Sequence, residues 1–481
     1  MSKFRIDEFL SGRGQSDTPE KLSPEAESRF RDVCDVVRAA FDAEWDVADE
    51  EFKSQKLERE KKAIIGYEAE TNYYKDRIKA ILREKNLLAE SYPSYYPNLH
   101  EAIFAELYGF AGLAPWIYDM TPEYAESSSA KIIGDRIYCL INGKSQLQPQ
   151  RISHKRREQL KRALLLASPK ERLEDGFHEV YLHNGIRITI FSGERTKPGQ
   201  DIIVFRKYVL KDLSFEKMVE LGTIPPEAVD IFKAMIRIGY NVVFAGQVRS
   251  GKTTFLQTWQ KYESSELEGL AIATDPETRW DELMPDAPIM QLVADDKELE
   301  GITKSLLRGD QDYVLLEEMR DAAAFNIFLD ITSTGTQRSK GTIHDNNAIN
   351  IPYKMASKIR AKYGGDESAI IAQCYSNINY VMEFYQVPEN KALKKLKGIT
   401  EFRYDPETDI VSAHRICQYN ALTNKWYWKY DMGKDKEALA IGFEDDLIMI
   451  KRRLKQLEKL LPLEGSNVIY PAYYKQNKFK E

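Results

Sequence analysis

The chain has 481 residues, of which 43% are hydrophobic and 30% are charged, with a formal net charge of −6. This length predicts about three domains, and the balance of apolar and charged residues excludes a largely disordered chain. No uncharged apolar run reaches the roughly 18 residues of a membrane-spanning helix. Because the first residues also lack the apolar core of a signal peptide, we expect a cytoplasmic protein.

Cysteine spacing and charge narrow the function classes further. The four cysteines are far apart and form no CxxC pair, so we expect buried free thiols rather than a zinc site or disulfides. The acidic balance disfavours a dedicated nucleic-acid binder, and we expect no direct contact with nucleic acid. The basic run 154–162 (HKRREQLKR) is interpreted as a solvated helix face, with a local basic patch as the alternative.

The first hundred residues have a helical pattern after a polar start. Residues 1 to about 22 predict a poorly ordered tail. A helix should begin at Ser23-Pro24-Glu25, because proline is favoured at the first helical position, and the apolar residues that follow recur at helical spacing: Phe30, Val33, Val37 and Phe41. A second charged helical stretch ends at the prolines of 91–98. We predict an α-helical extension over residues 1–98.

The remaining chain predicts two folded regions and a tail. Residues 99–212 mix helices with strands that Asn-Gly and Pro-Gly turns separate, which predicts an α+β domain. After a linker at 213–226, strands alternate with helical runs over 227–385. This alternation predicts a mostly parallel sheet with helices on both faces, an α/β architecture. Residues 386–481 form a C-terminal region with strand-like pieces and a terminal amphipathic helix.

The strongest local signal is the run 246–253 (GQVRSGKT), which fits G-x-x-x-x-G-K-[ST] between an apolar strand and a helical run. In such a loop, backbone N–H groups and the positive end of the following helix hold phosphate oxygens. Lys252 would contact the β- and γ-phosphates, and the Thr253 hydroxyl would complete a Mg²⁺ shell. A glycine turn that only resembles a P-loop is the alternative.

An acidic run follows a second apolar strand, at Glu317-Glu318-Met319-Arg320-Asp321. An acid at the carboxyl end of a buried strand beside a P-loop can hold or activate a metal-linked water, because ligands gather at that edge of a sheet. We interpret Glu318 as a catalytic carboxylate. A surface-exposed acidic loop is the alternative.

Together these segments resemble the type II/type IV secretion ATPase superfamily, and most closely its Tad-pilus-type branch, over roughly residues 105–385. Four motifs appear in the order of that family: the loop 250–254 (SGKTT), an Asp box at Asp275-Pro276-Glu277, the strand 307–321 (LRGDQDYVLLEEMRD), and a His box at Thr334-Gly335 and 341–344 (GTIH). The preceding domain is similar as well, at 109–119 (GFAGLAPWIYD), 184–187 (NGIR) and 205–207 (FRK).

The resemblance implies a RecA-like P-loop ATPase domain, a PAS-like α+β domain before it and the helical extension of the Tad-type branch. It implies ATP and Mg²⁺ as cofactors, with ATP between the two domains of a subunit. It also implies a homohexamer at the cytoplasmic face of the membrane, with an inner-membrane assembly platform as its partner. Arg187 and Arg206 would act on the site of a neighbouring subunit.

The predicted site residues form three groups. The catalytic group is Lys252, Glu318, His344, Arg187 and Arg206. The nucleotide-binding group is Gly246, Arg249, Ser250, Gly251, Lys252, Thr253 and Thr254. The metal-binding group is Thr253, Asp275, Glu277 and Glu318.

Three of these residues have ordinary alternatives. A lone histidine such as His344 is typically a core or helix-cap residue, and arginines on strands, such as Arg187 and Arg206, are typically surface charges. The motif around His344 favours a sensor of the nucleotide state instead. The family match favours action of both arginines across a subunit interface.

The chain departs from the family pattern at several positions near the site. Val248 and Arg249 stand in the P-loop where the family usually has threonine and glycine, and Thr274 replaces the glutamate of the Asp box. Glu317 replaces a glycine, and Thr336 replaces the first histidine of the His box. The retained residues, which include Arg308 and Arg320, favour ATP binding more strongly than rapid hydrolysis.

Three functions are consistent with this sequence. The first is a motor that hydrolyses ATP to drive pilus assembly, protein secretion or conjugation through a membrane platform. The second is a nucleotide-bound scaffold or regulatory subunit with little turnover, which Thr274 favours. The third is a DNA-translocating motor, which the acidic balance disfavours.

Overall fold

The computed structural model describes residues 23–45, 50–168, 173–174, 176–182, 185–207, 213–274, 278–294, 299–301 and 310–471. The chain divides into two compact units, Met1–Val209 and Leu210–Glu481. No helix in the described ranges is long and apolar enough to cross a membrane. The tail predicted for residues 1–22 lies outside the described residues.

The first unit begins with helices. They are α1 (Pro24–Trp45), α2 (Glu50–Ile64), α3 (Glu68–Glu84), α4 (Leu99–Tyr108), α5 (Ala114–Ile117), α6 (Pro122–Ala125) and, later in the chain, α7 (His154–Ala167). Helix α1 begins at the predicted proline, and its four apolar residues at helical spacing are all buried. The predicted start of this helix and the helical spacing of these residues are therefore confirmed.

Within the described residues of the first unit, the sheet has six antiparallel strands. They are β1 (Ser129–Ile133), β2 (Arg136–Ile141), β3 (Lys144–Arg151), β4 (Phe177–Tyr181), β5 (Arg187–Phe191) and β6 (Ile202–Arg206). Their order is β3-β2-β1-β6-β5-β4, and one continuous apolar core includes residues of both the helices and the sheet. All four cysteines of the chain are buried and free, as predicted.

Helix α7 carries the basic run, and three of its cations point inward. Arg156, Arg157 and Lys161 are buried. Arg157 donates to the carbonyls of Gly134 at 2.7 Å and Gly199 at 3.2 Å, in the turns at the ends of two hairpins. Long cationic side chains can be buried when backbone carbonyls satisfy their donors. The interpretation of this run as a solvated face is therefore wrong for these three residues.

The described part of the second unit is built on a sheet of ten strands. Its strands are β7 (Val242–Gly246), β8 (Gly269–Ala273), β9 (Ile289–Val293), β10 (Tyr313–Met319), β11 (Lys340–Ile343), β12 (Tyr380–Gln386), β13 (Lys394–Asp405), β14 (Ile410–Asn420), β15 (Lys425–Trp428) and β16 (Val468–Ile469). The order is β15-β14-β13-β12-β7-β11-β10-β8-β9, with β16 beside β14. The strands from β12 to β9 in this order are parallel, which confirms the predicted parallel sheet.

Helices cover both faces of this sheet. They are α8 (Phe215–Glu220), α9 (Ala228–Ile238), α10 (Lys252–Gln260), α11 (Trp280–Leu283), α12 (Ala322–Ser333), α13 (Asn350–Tyr363), α14 (Glu367–Asn377), α15 (Lys434–Ala438) and α16 (Glu444–Leu460). Side chains alternate between the faces of a strand, so Val242 and Phe244 of β7 enter one core while Val243 and Ala245 enter the other. The mixed α/β class is confirmed.

The segment after residue 385 contributes strands to the same sheet. Strands β13, β14 and β15 continue the sheet as an antiparallel meander beside β12, and β12 lies directly beside β7. The predicted C-terminal region therefore shares a sheet with the P-loop strand. The domain boundaries given by the sequence stay predictions.

The order of the central strands determines where the site residues lie. Strands β7, β11, β10 and β8 are consecutive and parallel, so their carboxyl ends meet at one edge of the sheet. Gly246 ends β7, His344 follows β11, Glu318 lies near the end of β10 and Thr274 follows β8. Residues that are up to about 100 positions apart in the sequence are thus brought to one edge.

Candidate nucleotide site

The loop between β7 and α10 is held by two glycines with positive φ angles. Gly246 has φ +156°, and a Cβ atom there would collide with the carbonyl of Phe384 and with Ser250 Oγ. Gly251 has φ +91° and precedes the first residue of α10. Only glycine takes such conformations without strain. Arg249 also has a positive φ of 65°, so the loop curls sharply before the helix begins.

The loop offers polar groups to an anion. Ser250 is fully buried, and its Oγ has no hydrogen-bond partner among the described residues. A buried hydroxyl without a hydrogen-bond partner is destabilising. The Ser250 hydroxyl is therefore suited to donate a hydrogen bond to an oxygen of a bound ligand. Thr253 and Thr254 are half-buried in the first turn of α10. The N-terminus of that helix adds N–H groups that favour negative charge.

Four side chains form a continuous chain of contacts at the edge of the sheet. Lys252 Nζ lies 3.0 Å from Nδ1 of His344 and donates to the carbonyl of Gln247 at 2.8 Å. Nε2 of the same imidazole lies 2.7 Å from Oε1 of Glu318. The other carboxylate oxygen of Glu318 accepts from Arg320 at 2.5 Å. The structure therefore links the P-loop lysine to the predicted catalytic carboxylate through one imidazole.

These contacts keep Glu318 ionised. Burial raises the pKa of its carboxyl, but the contacts with His344 and Arg320 outweigh burial and lower the pKa from 4.5 to about 2. A carboxylate with so low a pKa is a weak proton acceptor at neutral pH. It is suited to orient a water molecule or to stabilise positive charge.

Glu317 points away from this chain of contacts. It is buried, and its Oε1 accepts from the indole N–H of Trp280 at 2.8 Å. Its backbone carbonyl accepts from Thr342 Oγ1 at 2.6 Å, which ties β10 to β11. The glutamate that replaces a family glycine therefore connects strand β10 to helix α11.

The metal-binding group is only partly described. Asp275, Glu277 and the motif residue Arg308 lie outside the described residues. Thr274 is exposed at the carboxyl end of β8. Within the described ranges, no group of three or more acidic, histidine or cysteine side chains could hold a metal ion. The described oxygens that could contribute to a nucleotide-bound Mg²⁺ are the Thr253 hydroxyl and the Glu318 carboxylate.

Arg187 and Arg206 lie in the first unit as direct partners on adjacent antiparallel strands. Arg187 is buried, contacts Glu179 at 2.7 Å and lies over the ring of Tyr181 at 5.9 Å. Arg206 is exposed at the end of β6. Of the two, Arg206 has the side chain that a neighbouring molecule can reach. Asn184 of the same motif lies outside the described residues.

Sequence reasoning missed two residues that contact the segment 344–348, Lys354 at the carbonyl of His344 and Glu383 at the backbone N–H of Ala348. Glu383 lies in β12, whose sequence YVMEFYQ is otherwise largely apolar, and its side chain is almost fully buried. A charge within an apolar strand predicts a buried ionic partner, and this signal is visible in the sequence. The identity of the partner is not, because it depends on which strands pair.

Comparison with known families gives a match to this region. Residues 195–373 match the family model described as "Type II/IV secretion system protein". The match supports a relationship of this region to the type II/type IV secretion ATPase superfamily. It includes Lys252, His344, Glu318 and Arg320, so all four members of the contact chain lie within the matched residues. It does not distinguish the Tad-type branch.

Two uncharacterized proteins of Methanocaldococcus jannaschii are similar in sequence. One is 24% identical over 208 residues, which are 42% of this chain and 74% of the relative. The other is 22% identical over 303 residues, which are 59% of this chain and 52% of the relative. The chain therefore spans about half the length of the second relative.

Solved structures of secretion and pilus ATPases show a distant likeness. The VirB11 ATPase of the Brucella suis type IV secretion system, in complex with sulphate, is 17% identical, with 62% of this chain and 97% of that chain covered and a TM-score of 0.32. The Legionella pneumophila ATPase DotB is 16% identical, with 76% and 92% covered and a TM-score of 0.43. The pilus retraction motor PilT with bound ADP is 14% identical, with 73% and 90% covered and a TM-score of 0.42. Because these scores are below 0.5, we draw nothing further from them.

Proposed function

We propose that the chain is an ATP-hydrolysing motor of the type II/type IV secretion superfamily. The observation that carries this proposal is the contact chain from Lys252 through His344 to Glu318, at the edge of a parallel sheet that also bears the curled P-loop. If Lys252 had only a structural role, the fold would not require an imidazole and a carboxylate lined up next to its ammonium group. The three groups together offer what phosphoryl transfer requires, which is a cation at the phosphates and a carboxylate for the attacking water.

The loop residues would bind the phosphates. Ser250 Oγ, which has no hydrogen-bond partner among the described residues, would donate to a phosphate oxygen, and Lys252 and the N-terminus of α10 would add positive charge. ATP supplies the phosphoanhydride bond that is cleaved, and Mg²⁺ supplies positive charge at its phosphates. Thr253 would hold the metal from the protein side. Glu318 would orient the attacking water, because its low pKa makes proton abstraction unfavourable.

His344 would report the state of the P-loop to Glu318. Its Nδ1 faces Lys252 Nζ and its Nε2 faces Glu318. When Lys252 turns toward a phosphate, its contact with the imidazole weakens, and the ring is then held mainly by the carboxylate. Such a change of partner transmits the presence of the nucleotide to the residue that orients the water. This is the physical basis for the sensor role assigned to His344.

We assign the chain to the Tad-type branch because of its helical start and its motif order. Helices α1 to α3 lie within residues 1–98, where the helical extension is expected, and this supports the proposal. We propose a homohexamer at the cytoplasmic face of the membrane, with an assembly platform as partner, in which Arg206 and Arg187 act on the site of the neighbouring subunit. Arg206 is the better candidate because it is exposed, whereas Arg187 is buried against Glu179.

A nucleotide-binding scaffold of the same machinery is the second candidate. It is favoured by the hydroxyl of Thr274 at the position where the family has a carboxylate, and by the engagement of both Glu318 oxygens with His344 and Arg320. In a scaffold, Glu318 would stay engaged when nucleotide binds. In a motor, the carboxylate would be released to face the water.

Steady-state phosphate release by the purified full-length oligomer separates the two candidates. It should be measured with Mg²⁺ and ATP, alone and with membrane vesicles that contain the platform protein. A motor is expected to turn over slowly alone and several-fold faster with the platform. Tight ATP binding with no turnover in either condition would favour the scaffold, and stimulation by DNA instead of the platform would support a DNA-translocating motor.

A further inference from the structure

A buried carboxylate in β12 lies close to two parts of the candidate site. The Glu383 side chain is 1% exposed. In the sheet, Glu383 pairs with Ala245 of β7, which precedes Gly246. Phe384 pairs with Gly246 itself. Glu383 therefore lies beside the strand that ends in the P-loop.

Two cations from the C-terminal meander converge on this carboxylate. Lys397 of β13 lies 3.1 Å from Glu383 Oε1, and Arg415 of β14 donates to Oε2. Arg415 crosses β13 at Gly398, where a Cβ atom would collide with its guanidinium group. Gly398 is also the direct partner of Glu383 in the sheet. The absence of a side chain at this position lets the arginine reach over one strand to the next.

The same cluster holds the loop that follows His344. Glu383 Oε1 accepts from the backbone N–H of Ala348 at 3.3 Å. Lys397 Nζ donates to the backbone carbonyl of Asn346 at 2.5 Å. Both anchors lie in the connection between β11 and α13, of which His344 is the first residue. The cluster thus fixes the backbone within four residues of the imidazole that contacts Lys252 and Glu318.

We infer that Glu383 is a positioning residue for the proposed hydrolysis, which acts with Lys397 and Arg415 by fixing the loop 344–349 and thereby the imidazole of His344. This inference rests on the proposed function. If Glu383 loses its negative charge, the cations of Lys397 and Arg415 are left without a counter-ion, and the loop loses its anchor. A displacement of about 1 Å at a reacting group can cost up to a hundredfold in rate.

The test compares Glu383→Gln with Glu401→Gln in the full-length protein. Glu401 is a matched control because it is equally buried, lies in β13 and accepts from Arg403 and Gly433, but has no described contact with the loop 344–349. Glu383→Gln should lower kcat for ATP by about tenfold to a hundredfold with KM within threefold. Glu401→Gln should keep kcat within twofold at a similar loss of thermal stability.

Coupling to His344 distinguishes positioning from a general structural effect. In a His344→Ala background, Glu383→Gln should have no further effect on kcat, because the group that it positions is absent. If Glu383→Gln lowers kcat by the same factor with and without His344, the inference is wrong. Lys397→Met provides a second variant for the case that Glu383→Gln does not fold. It removes the anchor at Asn346 and should lower kcat when His344 is present but not in the His344→Ala background. Lys397→Arg should partly restore kcat.

Hydrogen–deuterium exchange gives a readout that does not depend on turnover. In the peptide that covers residues 344–349, exchange should be at least tenfold faster in Glu383→Gln than in the wild type, and unchanged in Glu401→Gln. Equal protection in all three proteins would overturn the inference even if ATP is hydrolysed. If the wild type hydrolyses no ATP while the exchange pattern is as expected, the proposed function fails and the positioning of the loop stands.

Discussion

Replacement of Glu318 by glutamine changes a side chain for which the structure gives a contact at each carboxylate oxygen. The change keeps the shape of the side chain and removes its charge. In the wild type the carboxylate contacts His344 at 2.7 Å and Arg320 at 2.5 Å. A glutamine can retain one acceptor oxygen for these donors, but it cannot balance the charge of Arg320. The variant should therefore fold and bind nucleotide while losing the charge that orients the attacking water.

The low pKa of Glu318 sets the size of the stability effect. A fall from 4.5 to about 2 corresponds to roughly 3 kcal/mol at neutral pH, and partial exposure reduces this to on the order of 2 kcal/mol. Because the pKa is lower in the folded state, this stabilisation is present above pH 4.5 and is lost as the pH falls toward 2. The difference in unfolding free energy between wild type and Glu318→Gln should therefore be largest near pH 7 and shrink below pH 4.5.

Kinetic and binding assays test the catalytic part of this prediction. Glu318→Gln should lower kcat by about a hundredfold or more. The Kd for ATP should stay within threefold, because the P-loop groups are unchanged. Fluorescent-nucleotide titration and phosphate release measure the two quantities in the same preparation. If binding and turnover fall by equal factors, or if turnover is unchanged, the assigned role of Glu318 is wrong.

Three further predictions concern other parts of the chain. Thr274→Glu should raise kcat more than it changes KM, because a carboxylate would return to the carboxyl end of β8; brisk wild-type turnover together with an inactive variant would refute this. Arg206→Ala subunits mixed with subunits that lack the P-loop lysine should recover activity at shared interfaces, and no recovery at any ratio in confirmed rings would exclude action across subunits. Glu263→Gln should lower the unfolding free energy by about 3–5 kcal/mol, because Glu263 balances the fully buried Lys340 at 2.6 Å; the exposed Glu266→Gln is the control, and equal urea midpoints for both variants would contradict the reasoning.

Local patterns in the sequence were sufficient to predict the central part of the fold. Alternating strands and helices predicted the parallel sheet, and the glycine spacing of 246–253 predicted the loop whose φ angles at Gly246 and Gly251 require glycine. Because ligands gather at the carboxyl ends of parallel strands, the acidic run after a second apolar strand also indicated that Glu318 would lie beside the P-loop. These predictions succeed because each depends on neighbouring residues or on a general rule of sheet topology.

Features that depend on long-range pairing were not predicted. The sequence gives no sign that residues 394–428 extend the sheet of the P-loop strand, since strand partners are chosen by tertiary packing. The basic run in α7 was misread because a charge run does not reveal which cations meet backbone carbonyls, as Arg157 does. Glu383 was missed for the same reason, because its partners Lys397 and Arg415 lie on strands whose pairing was unknown.

The most direct test of the central claim is a comparison of the wild type with Lys252→Ala in ATP binding and phosphate release. Calorimetric titration of ATP and a phosphate-release assay should use the same full-length protein with Mg²⁺. We predict a measurable Kd and turnover for the wild type, with binding at least tenfold weaker and turnover below detection in the variant, while the melting temperature stays within a few degrees. Equal turnover in both proteins, or no ATP binding by the wild type, would contradict the account.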